Sequence, residues 1–416
     1  MKYWQKLSQE EIKDRVFGAL SENVNFYKSN ILGVPGSHLD KKVFYQDAPF
    51  LKDAPFLSTL VHNPNHIGCH TLGASEHFFK GTQQIERELI KICAEEILKG
   101  EQDAYDGYVA SGGTEANMQA IWIYRNYFQQ QYKAKNQQIC ILCSEDSHYS
   151  MAKAANIFNI DIAFAKVDEQ TRALDANNLQ ALVASKQEEG TRYFIVVANM
   201  MTTMFGAVDN VDLYVNTLQA ADCPFKLHVD GAYGGFFYPF ANSSCNLDFT
   251  NPHVSSVTLD AHKMVQAPYG TGIFLIRKGL MQYANTKEAS YVEGEDSTLI
   301  GSRSGANAIA VWMILMKYGP YGWKEKILIL LNRANWVTDQ LKAANIEYFR
   351  NPNSNIITIK SDFLTAEIAG RYGLVPDNHH NPKWYKIVIM EHVIIEKLLP
   401  LIEELKALVE QNALVG

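Results

Sequence analysis

Positive charge is in short supply in this sequence. Its 38 Lys and Arg are outnumbered by 45 Asp and Glu, leaving a net charge of −7 over 416 residues. A surface of that balance does not displace the counterions of a polyanion, so nucleic acid is not an expected partner. No run is long and apolar enough to span a bilayer, and a membrane is set aside for the same kind of reason. The N-terminal stretch Met1-Lys2-Tyr3-Trp4-Gln5-Lys6 turns polar at once, without the apolar core of a secretory signal or the Arg-rich pattern of a transit peptide. Cysteine is sparse too. Cys69, Cys93, Cys140, Cys143, Cys223 and Cys245 are scattered rather than arranged as a disulfide framework, and a reducing cytoplasm is the expected location. Cys140 and Cys143 form a C-x-x-C, but its Ile141-Leu142 interior reads as buried strand and no second Cys/His pair completes a metal site.

What is present is an ordinary globular composition, with 47% hydrophobic and 20% charged residues. Residues 1–55 read as an N-terminal arm, with a helical pattern around Glu10 to Leu20 and the turn-rich Gly33-Val34-Pro35-Gly36. Residues 56–285 read as a large domain. A one-faced helix spans Thr82 to Lys99, and from about residue 105 short apolar strands alternate with amphipathic helices, the pattern of a mainly parallel sheet covered on both faces. The strands are expected at Ile139–Cys143, Ile162–Val167, Tyr193–Ala198, Lys226–Val229, Ser256–Leu259 and Gly272–Ile276. Residues 286–416 read as a small α+β domain: a long helical region to about Leu341, strands at 356–359 and 385–390, and a final helix. The expected fold class is therefore α/β, a large domain on a seven-stranded, mainly parallel sheet with a smaller C-terminal companion. Sheets of this kind place ligands at the carboxyl ends of their strands.

Four features sit at such ends. Ser111-Gly112-Gly113-Thr114-Glu115-Ala116-Asn117 opens a helix, and its glycines and helix dipole suit a phosphate held by Gly113 and Thr114. In His228-Val229-Asp230-Gly231-Ala232, Asp230 can keep a pyridine nitrogen protonated and Ala232 is small enough to lie against a ring. The strand Ser256 to Leu259 ends in Asp260-Ala261-His262-Lys263, where Lys263 can form an imine with an aldehyde and His262 can touch a phosphate. Ser147-His148-Tyr149-Ser150 offers an imidazole able to stack on a conjugated ring. Taken singly, each has an ordinary structural reading as a helix cap, a turn or a solvated charge. Together they supply what pyridoxal 5′-phosphate (PLP) requires.

Over about residues 60–320 the chain resembles the group II PLP-dependent amino-acid decarboxylases of the aspartate aminotransferase fold (fold type I). It looks closest to the short microbial histidine-type and tyrosine/aspartate-type enzymes, through His148-Tyr149-Ser150 with Lys153 and Gly301-Ser302-Arg303-Ser304-Gly305. The resemblance implies Lys263 as the Schiff-base lysine, Asp230 at the pyridine nitrogen and His148 stacked on the ring. It also implies Thr203 near the phenolic oxygen and substrate carboxylate, phosphate contacts from Gly113, Thr114 and His262, and Ser302 entering from a partner subunit of a homodimer. Tyr291, in the segment Ala289 to Asp296, is the candidate for a loop tyrosine that, as the resemblance implies, protonates the intermediate after carbon dioxide leaves.

The expected substrate is a small-molecule amino acid: aromatic, histidine or acidic. His66 and His70, in His62-Asn63-Pro64-Asn65-His66-Ile67-Gly68-Cys69-His70, are candidates for its pocket, and Pro64 and Gly68 break the helix that would align the histidines on a metal. The rival readings are an aminotransferase and a non-catalytic PLP-binding protein. Against the first, the small-domain segment where an aminotransferase of this fold carries an arginine reads Trp384-Tyr385-Lys386-Ile387-Val388 here.

Overall fold

In the computed structural model, residues 4–23, 77–284 and 296–415 are described. His66, His70, Tyr291 and most of the expected arm lie outside them.

A mixed sheet organises the larger part of the molecule. Its strands are β1 (Tyr105–Ala110), β2 (Ile139–Ser144), β3 (Asp161–Ala165), β4 (Tyr193–Asn199), β5 (Phe225–Gly231), β6 (Val254–Asp260) and β7 (Gly272–Arg277), in the spatial order β1-β7-β6-β5-β4-β2-β3. Neighbours from β6 to β3 are parallel, whereas β7 runs antiparallel to both β1 and β6. Residues of β2, β4 and β6 are buried nearly throughout, which is why β2 and β4 read as near-continuous apolar runs rather than as alternation. β1 escaped the strand pattern in the sequence because Asp106 and Gly107 interrupt it. It is nonetheless buried along its whole length, and a Cβ at Gly107 would come within 2.2 Å of the Phe274 carbonyl on β7.

The helices in chain order are α1 (Gln9–Glu22), α2 (Lys80–Lys91), α3 (Gly113–Tyr132), α4 (Ser150–Phe158), α5 (Ala176–Glu188), α6 (Val211–Ala220), α7 (Tyr238–Ala241), α8 (Gly305–Ala343), α9 (Ala366–Arg371) and α10 (Ile395–Val415). Ser8 and Glu11 form a reciprocal capping box on α1. The one-faced pattern of 82–99 divides into α2 and a π-helical turn at Ile92–Ile97, with Ile85, Leu89, Cys93 and Ile97 buried. Each large aliphatic side chain buried this way contributes about 1.5–3 kcal/mol. α8 bends where Gly319 takes φ 62° just before Pro320, the two residues least compatible with an unbroken helix.

A second, four-stranded antiparallel sheet follows, built from β8 (Tyr348–Phe349), β9 (Ile356–Lys360), β10 (Val375–Pro376) and β11 (Trp384–Val388) in the order β10-β11-β9-β8. Among the described residues no helix is long and apolar enough to cross a membrane.

Candidate active site

Parallel β2, β4, β5 and β6 deliver their carboxyl ends to one edge of the sheet, and chemistry-bearing side chains collect there. Asn199 closes β4, Asp230 lies opposite it on β5, Asp260 closes β6, and His148 follows β2 in the turn before α4. The N-terminus of α3 approaches from the neighbouring β1. The result is a cleft of about 340 Å³ lined by Gly113, Thr114, His148, Thr203, Asp230, Ala232, His262 and Lys263. Eight candidates from four separated sequence segments and the Thr203 turn thus share one wall. Ser302 is exposed in the turn before α8 and is not among those lining residues.

Space is tight where α3 approaches β7 and β5. A Cβ on Gly272 would lie 2.4–2.6 Å from the backbone of Gly112, and one on Gly113 would come within 3.0 Å of the Ala232 Cβ. The Gly113 N–H donates to Asp260 Oδ2 at 3.0 Å, so this amide is tied to β6 as well as facing the cleft. The other oxygen of Asp260 lies 2.8 Å from His262 Nδ1. Burial raises the Asp260 pKa, opposed by the positive charges of Lys263 and His262 and by the Gly113 N–H.

Asp230 is buried, with 8% of its surface exposed. It accepts from Asn117 Nδ2 at 2.9 Å and from the Ala232 N–H at 3.1 Å. Both donors are neutral, and among the described residues no cation forms an ion pair with it. Lys263 is half-buried in the tight turn after β6, where its N–H donates to the Asp260 carbonyl and its carbonyl accepts from Gln266. Its Nζ makes no hydrogen bond or ion pair with a described residue. An uncompensated buried carboxylate and an unengaged amine in one cleft suit a ligand that carries both a protonated ring nitrogen and an aldehyde. The cradle of small residues beside them suits its phosphate.

His148 is half-buried against Tyr149, with ring centroids 4.1 Å apart. Burial lowers its pKa, Lys263 and Lys153 push the same way, and the Asp230 charge opposes them. The residues that sequence reading left without a role are Asn117, Ser150, Asn199 and Tyr233. Asn117 was within reach: it lies one helical turn beyond Gly113 on α3, on the face that must meet the cleft. Asn199 donates to Ser144, Ser147 and Asp209, a set of partners that no local pattern announces.

The C-x-x-C reading resolves as structural. Cys140 and Cys143 are buried free thiols on β2, and burial pushes the Cys143 thiol up to about 12. Among the described residues no cluster of His, Cys, Asp and Glu is arranged to hold a metal ion.

Residues 84–359 match the pyridoxal-dependent decarboxylase conserved domain. A tryptophan decarboxylase from Clostridium sporogenes is 49% identical over 408 residues, covering 98% of each chain. A histidine decarboxylase from Pseudomonas entomophila is 29% identical over 302 residues, covering 70% of this chain and 71% of its own. An L-methionine decarboxylase from Streptomyces sp. 590 superposes with a TM-score of 0.70 at 18% identity, covering 96% of this chain and 94% of its own. That last likeness is one of fold.

Proposed function

The chain belongs to the pyridoxal-dependent decarboxylase family, and from that premise we propose that it converts L-tryptophan to tryptamine and carbon dioxide at the cleft around Lys263. That it is a PLP-dependent amino-acid decarboxylase follows from the family; the substrate and the residue roles are our reading. The observation that carries the site is the pairing in one cleft of the unengaged Lys263 amine with the Asp230 carboxylate that lacks a cation.

Bound PLP supplies an electron-withdrawing pyridine ring that takes up the electron pair released as the α-carboxylate leaves. Lys263 would be its covalent anchor, Asp230 would hold the proton of the ring nitrogen, and His148 would pack on the ring. Ala232 would leave room for the ring, while Thr203 would serve the phenolic oxygen and substrate carboxylate. Gly113, Thr114 and His262 hold the phosphate, joined by Ser302 from the second subunit of a homodimer. Tyr291, outside the described residues, is our candidate for the proton donor to Cα. His66 and His70, outside the described residues, are our candidates for the side-chain pocket. Tryptophan is favoured because the tryptophan decarboxylase matches over 98% of each chain at 49% identity, against 29% identity for the histidine decarboxylase. Met201, Tyr149 and Tyr233 also give the cleft apolar and aromatic surface for a flat ring. We place the enzyme in the cytoplasm, in keeping with its buried free thiols.

The test is a panel of the common L-amino acids with PLP-loaded protein, with amines, keto acids and carbon dioxide quantified. Tryptamine is the expected dominant product. Histamine or β-alanine in its place would overturn the substrate, and a keto acid without gas would overturn decarboxylation. Lys263→Ala is expected to lose the visible absorbance of lysine-bound cofactor. Light scattering is expected to give the mass of two chains, and a fully active monomer would overturn the shared site.

A further inference from the structure

The first turn of α3 sends one side chain beneath the cleft, and the hydrogen bonds it makes have only one consistent direction. Asn117 is 1% exposed. Its amide nitrogen donates to Asp230 Oδ2 at 2.9 Å and to Ser150 Oγ at 3.3 Å, accounting for both amide hydrogens. Turning the amide over would set its oxygen against a buried carboxylate. Asn117 Oδ1 therefore faces His228 Nε2 at 3.0 Å, and only an N–H can occupy that position.

The rest of the chain of bonds follows. With its proton on Nε2, His228 accepts at Nδ1 from Ser256 Oγ at 2.7 Å, and Ser256 in turn accepts from the Tyr124 hydroxyl at 2.5 Å. His228, Ser256 and Tyr124 are fully buried, so no water competes for these bonds. Burial depresses the His228 pKa to about 4, which keeps the ring neutral and this pattern intact at neutral pH.

On the other branch, Ser150 Oγ, which accepts from Asn117, lies 2.8 Å from His148 Nδ1 and could by itself either donate or accept there. The Ser150 backbone N–H is directed at the same nitrogen at 3.3 Å. A backbone N–H aimed at Nδ1 leaves no room for a proton there, so the Ser150 hydroxyl donates to the same nitrogen.

We propose that Asn117 and Ser150 are positioning residues that lock His148 in the tautomer carrying its proton on Nε2. His148 then presents an N–H donor to the cleft rather than a basic lone pair. The same amide that orients Ser150 also holds Asp230, so one side chain sets the charge at the ring nitrogen and the donor at the ring face. This rests on the placement of His148 and Asp230 in the cofactor cleft.

The experiment is heteronuclear NMR of ¹⁵N-histidine-labelled protein, with and without PLP, with His148 assigned by its loss in His148→Gln. The expected wild-type signature is a bare Nδ1 and a protonated Nε2. Ser150→Ala should yield a mixture of tautomers and lower kcat/KM by about tenfold, the scale of one lost hydrogen bond to a reacting group. Ser150→Thr, which keeps the hydroxyl, should restore both. Asn117→Leu should loosen the tautomer and also weaken cofactor affinity, read by fluorescence quenching. A wild-type His148 protonated on Nδ1, or a Ser150→Ala protein with the wild-type signature, overturns the inference. Failure of wild type to form the visible cofactor band would instead overturn the cleft assignment, and the cofactor-free spectrum separates the two failures.

Discussion

Lys386 Nζ, on β11 of the small sheet, donates to the Thr203 carbonyl at 2.9 Å and so joins that sheet to the rim of the cleft. Burial and the nearby charge of Lys263 both lower the Lys386 pKa, and no carboxylate among the described residues forms an ion pair with it. The contact gives the small sheet a direct hold on the Thr202-Thr203 turn, while Thr202 Oγ1 accepts from the Ala207 N–H at 3.1 Å to brace it from within. Lys386→Met is expected to release Thr203 and raise KM about tenfold, as for loss of one charge-assisted hydrogen bond. Steady-state kinetics beside Lys386→Arg, which keeps a donor, checks this.

Gly272 sets the distance between β7 and the α3 approach. A methyl group there would press on the Gly112 backbone, which cannot yield as a flexible side chain could. Gly272→Ala should cost about 1–3 kcal/mol of stability and weaken PLP binding. Urea unfolding and cofactor titration report the two effects separately.

Arg303 and Glu86 form a two-pronged ion pair in the interior, at 2% and 0% side-chain exposure. Glu86 also accepts from the Val109 N–H at 2.7 Å, linking α2, β1 and the turn that carries Ser302. Removing one partner leaves a buried charge uncompensated. Arg303→Met is expected to destabilise the fold by about 3–5 kcal/mol, measured by chemical denaturation.

The buried neutral His228 gives stability a pH dependence of definite sign. Its folded pKa of about 4 lies below the ordinary 6.5, so between those values the unfolded chain binds the extra proton. Its contribution is fully present above pH 6.5 and lost as pH falls toward 4. Wild type should therefore lose about 3 kcal/mol relative to His228→Gln across that window. Denaturant melts of both proteins at several pH values test the difference, and parallel curves would contradict it.

Much of the architecture was legible in one dimension. Strand positions from Ile139 to Ile276 followed from apolar runs bounded by turns, and the elements that carry Gly113, His148, Asp230 and Lys263 followed from glycine, cap and strand-end chemistry. Those signals are local, because the periodicity of a strand and the steric freedom of glycine act within a few residues. Thr203 and Ser302 came only through resemblance, since nothing in their own neighbourhoods marks them.

By itself, then, the sequence determined which segments are strands and helices and which residue types stand at their ends. Tertiary structure alone decided that β1 pairs antiparallel with β7, that the Gly113 amide is tied to Asp260, and that Asn117 reaches Asp230, Ser150 and His228 together. The physical reason is distance along the chain. The direction of a hydrogen bond between residues 113 or 147 positions apart depends on how the packed elements aim their side chains, and no local pattern encodes that geometry.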